Sequence, residues 1–346
     1  MATVIQKNTL GKTDLQVTEI AFGGASVGNL YRAIDNAQAE AAIKAAWQAG
    51  IRYFDTAPQY GHGLSEHRLG HVLREYPRED FVLSTKVGEV FSPASGKANP
   101  DEEWFVNPLP FESTQDYSYD AVMRGVEHSL HRLGLNQVDI LHIHDLDHPC
   151  LGEDFESHFQ MAMTSGYKAL NELREQGVVK ALSLGVKEWQ VCERALEYGD
   201  FDCFMLQGNY TLLEQPAKVF LDRCVERQLS VIQAGPFSSG VLVKGPVEGA
   251  THHHTPAEQH VIDQVKKIQG ICADFSVPMP AVAMHFTLSH PAIAAVAIGL
   301  RSAEQVAMNM EWYQTAIPDG VWDALRAESI IDAHWCASAL LANLAG

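Results

Sequence analysis

The sequence predicts an α/β fold: a single (β/α)8 TIM barrel with extra helices and a long loop after strand three. Two observations predict it. Eight strand-like apolar runs alternate with helix patterns, and no low-complexity tract, fixed-period repeat or break in composition divides the chain. Repeated βα units favour a parallel sheet, and eight of them favour its closure. The chain has 346 residues, more than a usual domain of roughly 150, yet α/β barrels commonly run longer as one unit. Residues 1–346 are therefore expected to form one domain.

The strand-like runs fall near Val17–Phe22, Arg52–Asp55, Phe81–Val87, Val138–His144, Val179–Gly185, Cys203–Gln207, Ser230–Ala234 and Ala294–Ile298. Between them, Ala39–Ala49 places Ala42, Ile43, Ala46 and Trp47 on one helical face, and Tyr119–Leu133 does the same with Val122, Val126, Leu130 and Leu133. Ser118 suits the N-cap of the second helix, and Gly134 suits its stop. Further helices are expected over Ala257–Phe275 and after Asp319. Gly88–Tyr117, rich in Pro, Asn, Ser and Glu with Trp104, Phe105 and Phe111 interspersed, reads as one long irregular loop. Because it follows the strand that delivers Lys86, it should lie over the barrel mouth.

Composition narrows the partners. The hydrophobic fraction is 46% and the charged fraction 20%, as in an ordinary globular protein. A net charge of −18 opposes nonspecific attraction to nucleic acid or to an anionic membrane, which leaves a small molecule as the expected partner. Six cysteines are scattered without CxxC spacing and read as reduced thiols. The N-terminus lacks the pattern of a leader and no apolar run of about 18 residues occurs, so the expected location is the cytoplasm.

Three strand ends carry the chemistry. The run Phe54-Asp55-Thr56-Ala57-Pro58-Gln59-Tyr60-Gly61 closes a strand with a carboxylate and follows it with a tyrosine in a Pro/Gly loop; the next strand ends at Lys86, and the fourth at His144. Singly, Asp55 reads equally as a loop cap, Tyr60 as a packing aromatic and Lys86 as a surface charge. Together, at the ends of successive strands, they are the makings of a proton-transfer site. Oxidation of an alcohol by a nicotinamide needs a group to take the hydroxyl proton, and a free tyrosine with a pKa near 10 is a poor base. Lys86 beside Tyr60 is expected to favour the phenolate, with Asp55 holding the ammonium. Alternation puts His142 and His144 on one face; His144, nearer the mouth, is the candidate to bind the substrate oxygen, and His142 reads as a satisfied interior histidine. Tyr31, just beyond strand one, is a further candidate for substrate contact, or an ordinary loop aromatic. A metal reading of His142-Ile143-His144 or of His252-His253-His254 lacks further ligands at other strand ends. No metal is expected, and the triple histidine reads as a solvated loop rimming the cofactor groove.

At these residues the chain resembles the aldo/keto reductases, whose site uses Asp, Tyr, Lys and His in this order. The resemblance extends over nearly the whole chain. Gly61-His62-Gly63-Leu64-Ser65-Glu66-His67-Arg68-Leu69-Gly70 looks like the family's segment opening the helix after the tyrosine, and Leu130-His131-Arg132-Leu133-Gly134 precedes the histidine strand as it does there. Gln207-Gly208-Asn209-Tyr210 is similar to its Gln-x-x-Tyr, whose glutamine meets the nicotinamide amide, and Gly299-Leu300-Arg301 through Gln305 to Asn309 is similar to the segment holding the adenosine phosphate and adenine. The resemblance thus implies Asp55, Tyr60, Lys86 and His144 as catalytic, and Gly24, Gln207, Pro236, Phe237, Ser239, Gly299, Arg301, Gln305 and Asn309 as cofactor-binding.

Asp116–Asp120, the paired His144-Asp145 and Asp147, Tyr210–Gln215 and Gly235–Leu242 resemble the branch of D-threo-aldose (L-fucose), L-galactose and pyridoxal dehydrogenases. The expected reaction is hydride transfer between NAD or NADP and C1 of an aldose, giving a lactone, or a similar small polar alcohol or aldehyde. Gln305, standing where many NADP-preferring members have arginine, tilts the expectation to NAD, while Arg301 remains as a cation. Two departures appear: Gly185-Val186-Lys187-Glu188 replaces a usual Ser-Asn after strand five, and Ala234 stands where a stacking tyrosine is usual. An NADPH-dependent aldehyde or ketone reductase, and a nucleotide-binding regulatory barrel with little turnover, are the alternative readings.

Overall fold

The computed structural model describes residues 4–94, 104–253 and 255–335. Eight parallel strands close into a barrel in sequence order: Ile20–Gly23, Tyr53–Asp55, Val82–Val87, Ile140–His144, Ala181–Val186, Cys203–Gln207, Ser230–Ala234 and Ile293–Gly299, the last pairing with the first. All eight expected runs overlap a barrel strand. Alternation sends Tyr53, Val82, Ile140, Ala181, Cys203 and Ile232 into a compact interior cluster, while a larger cluster fills the layer between strands and outer helices.

The first run is shorter than expected. Val17 belongs to an antiparallel hairpin, Lys7–Thr9 with Gln16–Thr18, and the barrel strand starts only at Ile20. Leu10, Leu15 and Val17 of this hairpin join the interior cluster, so it plugs the N-terminal end of the barrel. The apolar run hid the break because Thr18 and Glu19 turn the chain without leaving the interior: Thr18 Oγ1 donates to the Ile20 carbonyl (2.8 Å), and Glu19 N–H to the Gln6 carbonyl (2.9 Å).

The helix Tyr119–Leu133 has the expected ends: the Ser118 side chain accepts from Ala121 N–H, and Gly134 adopts a left-handed conformation. The first helix spans Asn36–Gln48, beginning ahead of its expected start because Asp35 caps it by accepting from Gln38 N–H (2.7 Å). Gln259–Asp274 and Asp319–Ala327 form as expected. Met279–Leu288 is an additional helix, buried at every residue. A helix buried on all sides has no one-sided apolar stripe, which is why periodicity did not reveal it.

The segment after the third strand is a correction. Glu89–Pro93 and Phe111–Gln115 pair as an antiparallel ribbon, from Glu89 opposite Gln115 to Pro93 opposite Phe111. Its polar, Pro-containing strands are largely solvated and so lack the apolar alternation of a core strand. The tip of the expected loop, residues 95–103, lies outside the described residues.

Candidate active site

Asp55 ends the second strand, where its register partner on the third is Ser84; Lys86 stands two residues further on. Lys86 Nζ donates to Asp55 Oδ1 and Oδ2, both at 2.7 Å, and to the Thr56 carbonyl at 2.8 Å, so its three N–H groups are all engaged. Ser84 Oγ donates to Asp55 Oδ1 (2.7 Å). The pair is almost sealed from water, Lys86 being 1% exposed. Its geometry offsets the loss of hydration for both charges.

Tyr60 is held in a turn that only small residues permit. A Cβ on Gly28 would come within 2.7 Å of the Tyr60 backbone, and Gly61 has φ +66°. The tyrosine ring stacks on Phe105 (centroids 5.9 Å) and meets His144 edge-on (5.9 Å, 81°), while Lys86 Nζ lies 4.9 Å from its centroid. The helix that follows is anchored by buried Glu66, which accepts from Thr85 Oγ1 (2.7 Å) and Arg132 Nε (2.6 Å). The two segments that resemble the family, Gly61–Gly70 and Leu130–Gly134, are joined by this pair.

The expectation of a favoured phenolate is corrected. Burial, followed by the negative charges of Asp55, Asp145 and Glu89, holds the Tyr60 hydroxyl well above the ordinary tyrosine range. Lys86 is neutralised by Asp55 and has no N–H left for the phenol. The Tyr60 hydroxyl therefore keeps its proton at neutral pH.

His144 ends the fourth strand with Nδ1 3.2 Å from Glu89 Oε1 and Nε2 3.9 Å from Asp145 Oδ1. Burial works against its charge, but Asp145 and Glu89 outweigh it and raise the imidazole above its usual range. His142, one layer deeper, has Nδ1 2.7 Å from Ser183 Oγ, and burial and Lys86 push it well below the usual range; it is interior as expected but only half satisfied, since Nε2 has no hydrogen-bond partner. Glu89 escaped the sequence reading. It is 3% exposed, yet it sits in a stretch that looked like solvated loop, and its partner His144 is remote in sequence. Lys187 was read only as a missing Ser-Asn; its Nζ reaches Cys150 Sγ (3.1 Å) and lies 5.1 Å from the Trp104 ring centroid.

These groups open into one cavity of about 440 Å³ at the C-terminal end of the barrel. Asp55, Tyr60 and His144 line it at one place, with Tyr31, Trp104 and Phe105. From the insertion, Trp104 and Phe105 reach this cavity: Tyr31 N–H donates to the Trp104 carbonyl (2.7 Å), and Leu30 bridges to Phe105. Gln207, Pro236, Phe237 and Ser239 line the cavity too, as do Gly299, Arg301, Gln305 and Asn309. Gly24 does not. Its carbonyl accepts from Ser65 Oγ (2.8 Å), and a Cβ there would lie 2.5 Å from the Asp55 carbonyl oxygen, so it serves close packing while Gly23 and Ala25 face the cavity.

The residues fit a dinucleotide. Asn309 Oδ1 is buried with no hydrogen-bond partner, an acceptor left for a ligand. Nearby, the helix Ala303–Gln314 begins at Ser302, and Gln305 Oε1 accepts from Arg301 N–H (3.0 Å), which fixes the cationic side chain's backbone at the helix entry. The apolar wall of Met205, Ala234, Ala297 and Ile298 suits a flat ring.

Among the described residues, three groups bring at least three possible metal donors within 4.8 Å: Glu89, His144 and Asp145; Asp145, Asp147 and Cys150; and Glu214, His252 and His253. His142 belongs to none. Asp147 is occupied by the backbone N–H groups of Cys150 (3.2 Å) and Lys187 (2.7 Å). The histidine segment lies on the cavity rim as expected, but it is not simply solvated: His252 is half-buried against Glu214. His254 lies outside the described residues.

The model described as the aldo/keto reductase family matches residues 19–329. The chain belongs to the aldo/keto reductase family. It is 40% identical to a pyridoxal 4-dehydrogenase from Microbacterium luteolum over 94% of this chain and 98% of that one. It is 35% identical to a D-threo-aldose 1-dehydrogenase from a Pseudomonas species over 92% and 95%. These are members of the branch that the sequence resembles. A solved aldo-keto reductase from Bacillus halodurans in its holo form shares the fold, with a TM-score of 0.75 at 24% identity over 96% and 98% of the two chains. This aldo/keto reductase is thus an oxidoreductase of a family that uses NAD(P)H.

Proposed function

We propose that this aldo/keto reductase uses NAD or NADP, with NAD favoured, to move hydride to or from C1 of an aldose or a similar small polar alcohol or aldehyde. Tyr60 is the general acid/base. One observation carries the reading: the Asp55–Lys86 pair, the Tyr60 ring and His144 meet at one place in a cavity that continues to Arg301 and Asn309. The names of the pyridoxal and D-threo-aldose dehydrogenases support a polar, hydroxyl-bearing substrate.

Bound nicotinamide supplies the hydride donor or acceptor; the chain supplies position and the proton. Gln207 would orient the amide, and Arg301, Gln305 and Asn309 would hold the adenosine end, all of them lining the same cavity as the Pro236–Ser239 turn. His144, its orientation set by Glu89 and Asp145, directs the substrate oxygen toward the Tyr60 hydroxyl. Tyr31, Trp104 and Phe105 wall that end. Reduction uses the protonated phenol directly. Oxidation requires Tyr60 to lose its proton first, so oxidation should accelerate as pH rises while reduction holds at neutral pH. The same observation favours a second reading, an aldehyde or ketone reductase using NADPH.

The test is a kcat/KM panel of aldoses, pyridoxal-type alcohols and simple aldehydes with both nucleotides across pH. The expected result is turnover of a polar substrate, better with NAD in oxidation and rising toward alkaline pH. Tight nucleotide binding without turnover of any class would assign a regulatory role instead.

A further inference from the structure

A second cluster of donor atoms stands on the cavity rim, apart from Tyr60 and its neighbours. Glu214 belongs to the turn that follows the sixth barrel strand, and His252 and His253 belong to a strap in which Thr251–His252 pairs with Thr255–Pro256. Consecutive strand residues project to opposite faces. Here His253 takes φ +48°, and both imidazoles turn to one side, their centroids 4.0 Å apart. Gly208 leaves room for this convergence: a Cβ there would lie 3.4 Å from His253 Cε1 and 3.5 Å from Glu214 Oε1.

Glu214 Oε1 lies 2.9 Å from His253 Nε2 and 3.7 Å from His252 Nε2. Yet neither Glu214 Oε1 nor His252 Nε2, both screened from solvent, has a hydrogen-bond partner. Glu214 Oε1 thus lies within ion-pair distance of His253 and just beyond hydrogen-bond reach of His252, so the three donor atoms face one small volume. A tetrahedral Zn2+ with nitrogen and oxygen ligands at about 2.0–2.2 Å separates its ligand atoms by about 3.3–3.5 Å, and the two observed separations straddle that spacing.

We propose that Glu214, His252 and His253 form a three-ligand site for a divalent transition metal, Zn2+ by ligand type, which ties the strap to the turn after the sixth strand. The fourth position is left to water. Because Glu214 and His253 also line the cavity, the metal fixes one side of its entrance. The site is separate from the proton-transfer centre and does not depend on the reaction proposed above.

The experiment uses full-length protein stripped with chelator, titrated with Zn2+ by calorimetry and with Co2+ by visible absorption. The expected results are one equivalent bound, the intense bands of tetrahedral cobalt, and slowed amide exchange over residues 250–256. His252→Asn and Glu214→Gln, each checked for native circular dichroism, should weaken Zn2+ binding by about tenfold or more, while His260→Asn, outside the cluster, should not. Absence of stoichiometric binding, weak octahedral-type cobalt absorption, or binding unchanged in the cluster variants would overturn the proposal.

Discussion

Lys86 illustrates how tightly the centre is determined. Replacing it with methionine leaves the Asp55 carboxylate inside the barrel with Ser84 as its remaining side-chain donor. Breaking a buried pair in this way costs about 3–5 kcal/mol, whereas Asp55→Asn combined with Lys86→Met removes both charges and should cost less. Urea unfolding of the two variants measures the difference. Glu89 acts on His144 with a definite sign. The folded pKa of His144 lies above its ordinary value, so its pairing stabilises the fold in full below about pH 6.5 and is lost as pH rises through the raised value. Glu89→Gln should lower the His144 pKa measured by NMR and flatten that limb of the stability profile. An unchanged titration would remove Glu89 from the account. Asp55, Tyr60, Lys86 and His144 were legible because each follows or ends a readable strand. Glu89 was not, because a buried acid among prolines, serines and polar residues has the sequence appearance of solvent-exposed loop.

Among the elements, the N-terminal hairpin has the clearest energetic role. Leu10 is fully buried in the interior cluster, and Leu10→Ala should cost about 2–5 kcal/mol in denaturant unfolding, with KM little changed because the hairpin lies at the end of the barrel opposite the cavity. A loss below about 1 kcal/mol would mean that the plug carries little of the fold's stability. The barrel strands were legible from apolar runs bounded by polar breaks, and Tyr119–Leu133 from its period and both caps. Three elements were not. The hairpin strand is separated from the first barrel strand by Glu19 alone, the ribbon Glu89–Pro93 with Phe111–Gln115 buries only Glu89, and Met279–Leu288 is buried on all sides.

At the scale of the whole molecule, eight strand ends that are distant in sequence become one rim, and a cavity joins Asp55, Tyr60 and His144 to the segment from Gly299 to Asn309. Barrel closure does this: the eighth strand pairs with the first, so Gly299 lies beside Gly23 and, one strand further on, Asp55. The order of residue types along the chain foretold the site, but the charge balance within it was beyond reach of the sequence. Burial of the phenol, with Asp55, Asp145 and Glu89 around it, holds the Tyr60 hydroxyl well above the ordinary tyrosine range where its neighbour Lys86 alone suggested the opposite. The account's central claim is that binding and proton transfer occupy one cavity yet reside in different side chains. Measuring nucleotide affinity and kcat together in Tyr60→Phe tests it most directly. The account predicts native nucleotide affinity with kcat reduced about 10²-fold or more; a variant that turns over at the unmodified rate would contradict it.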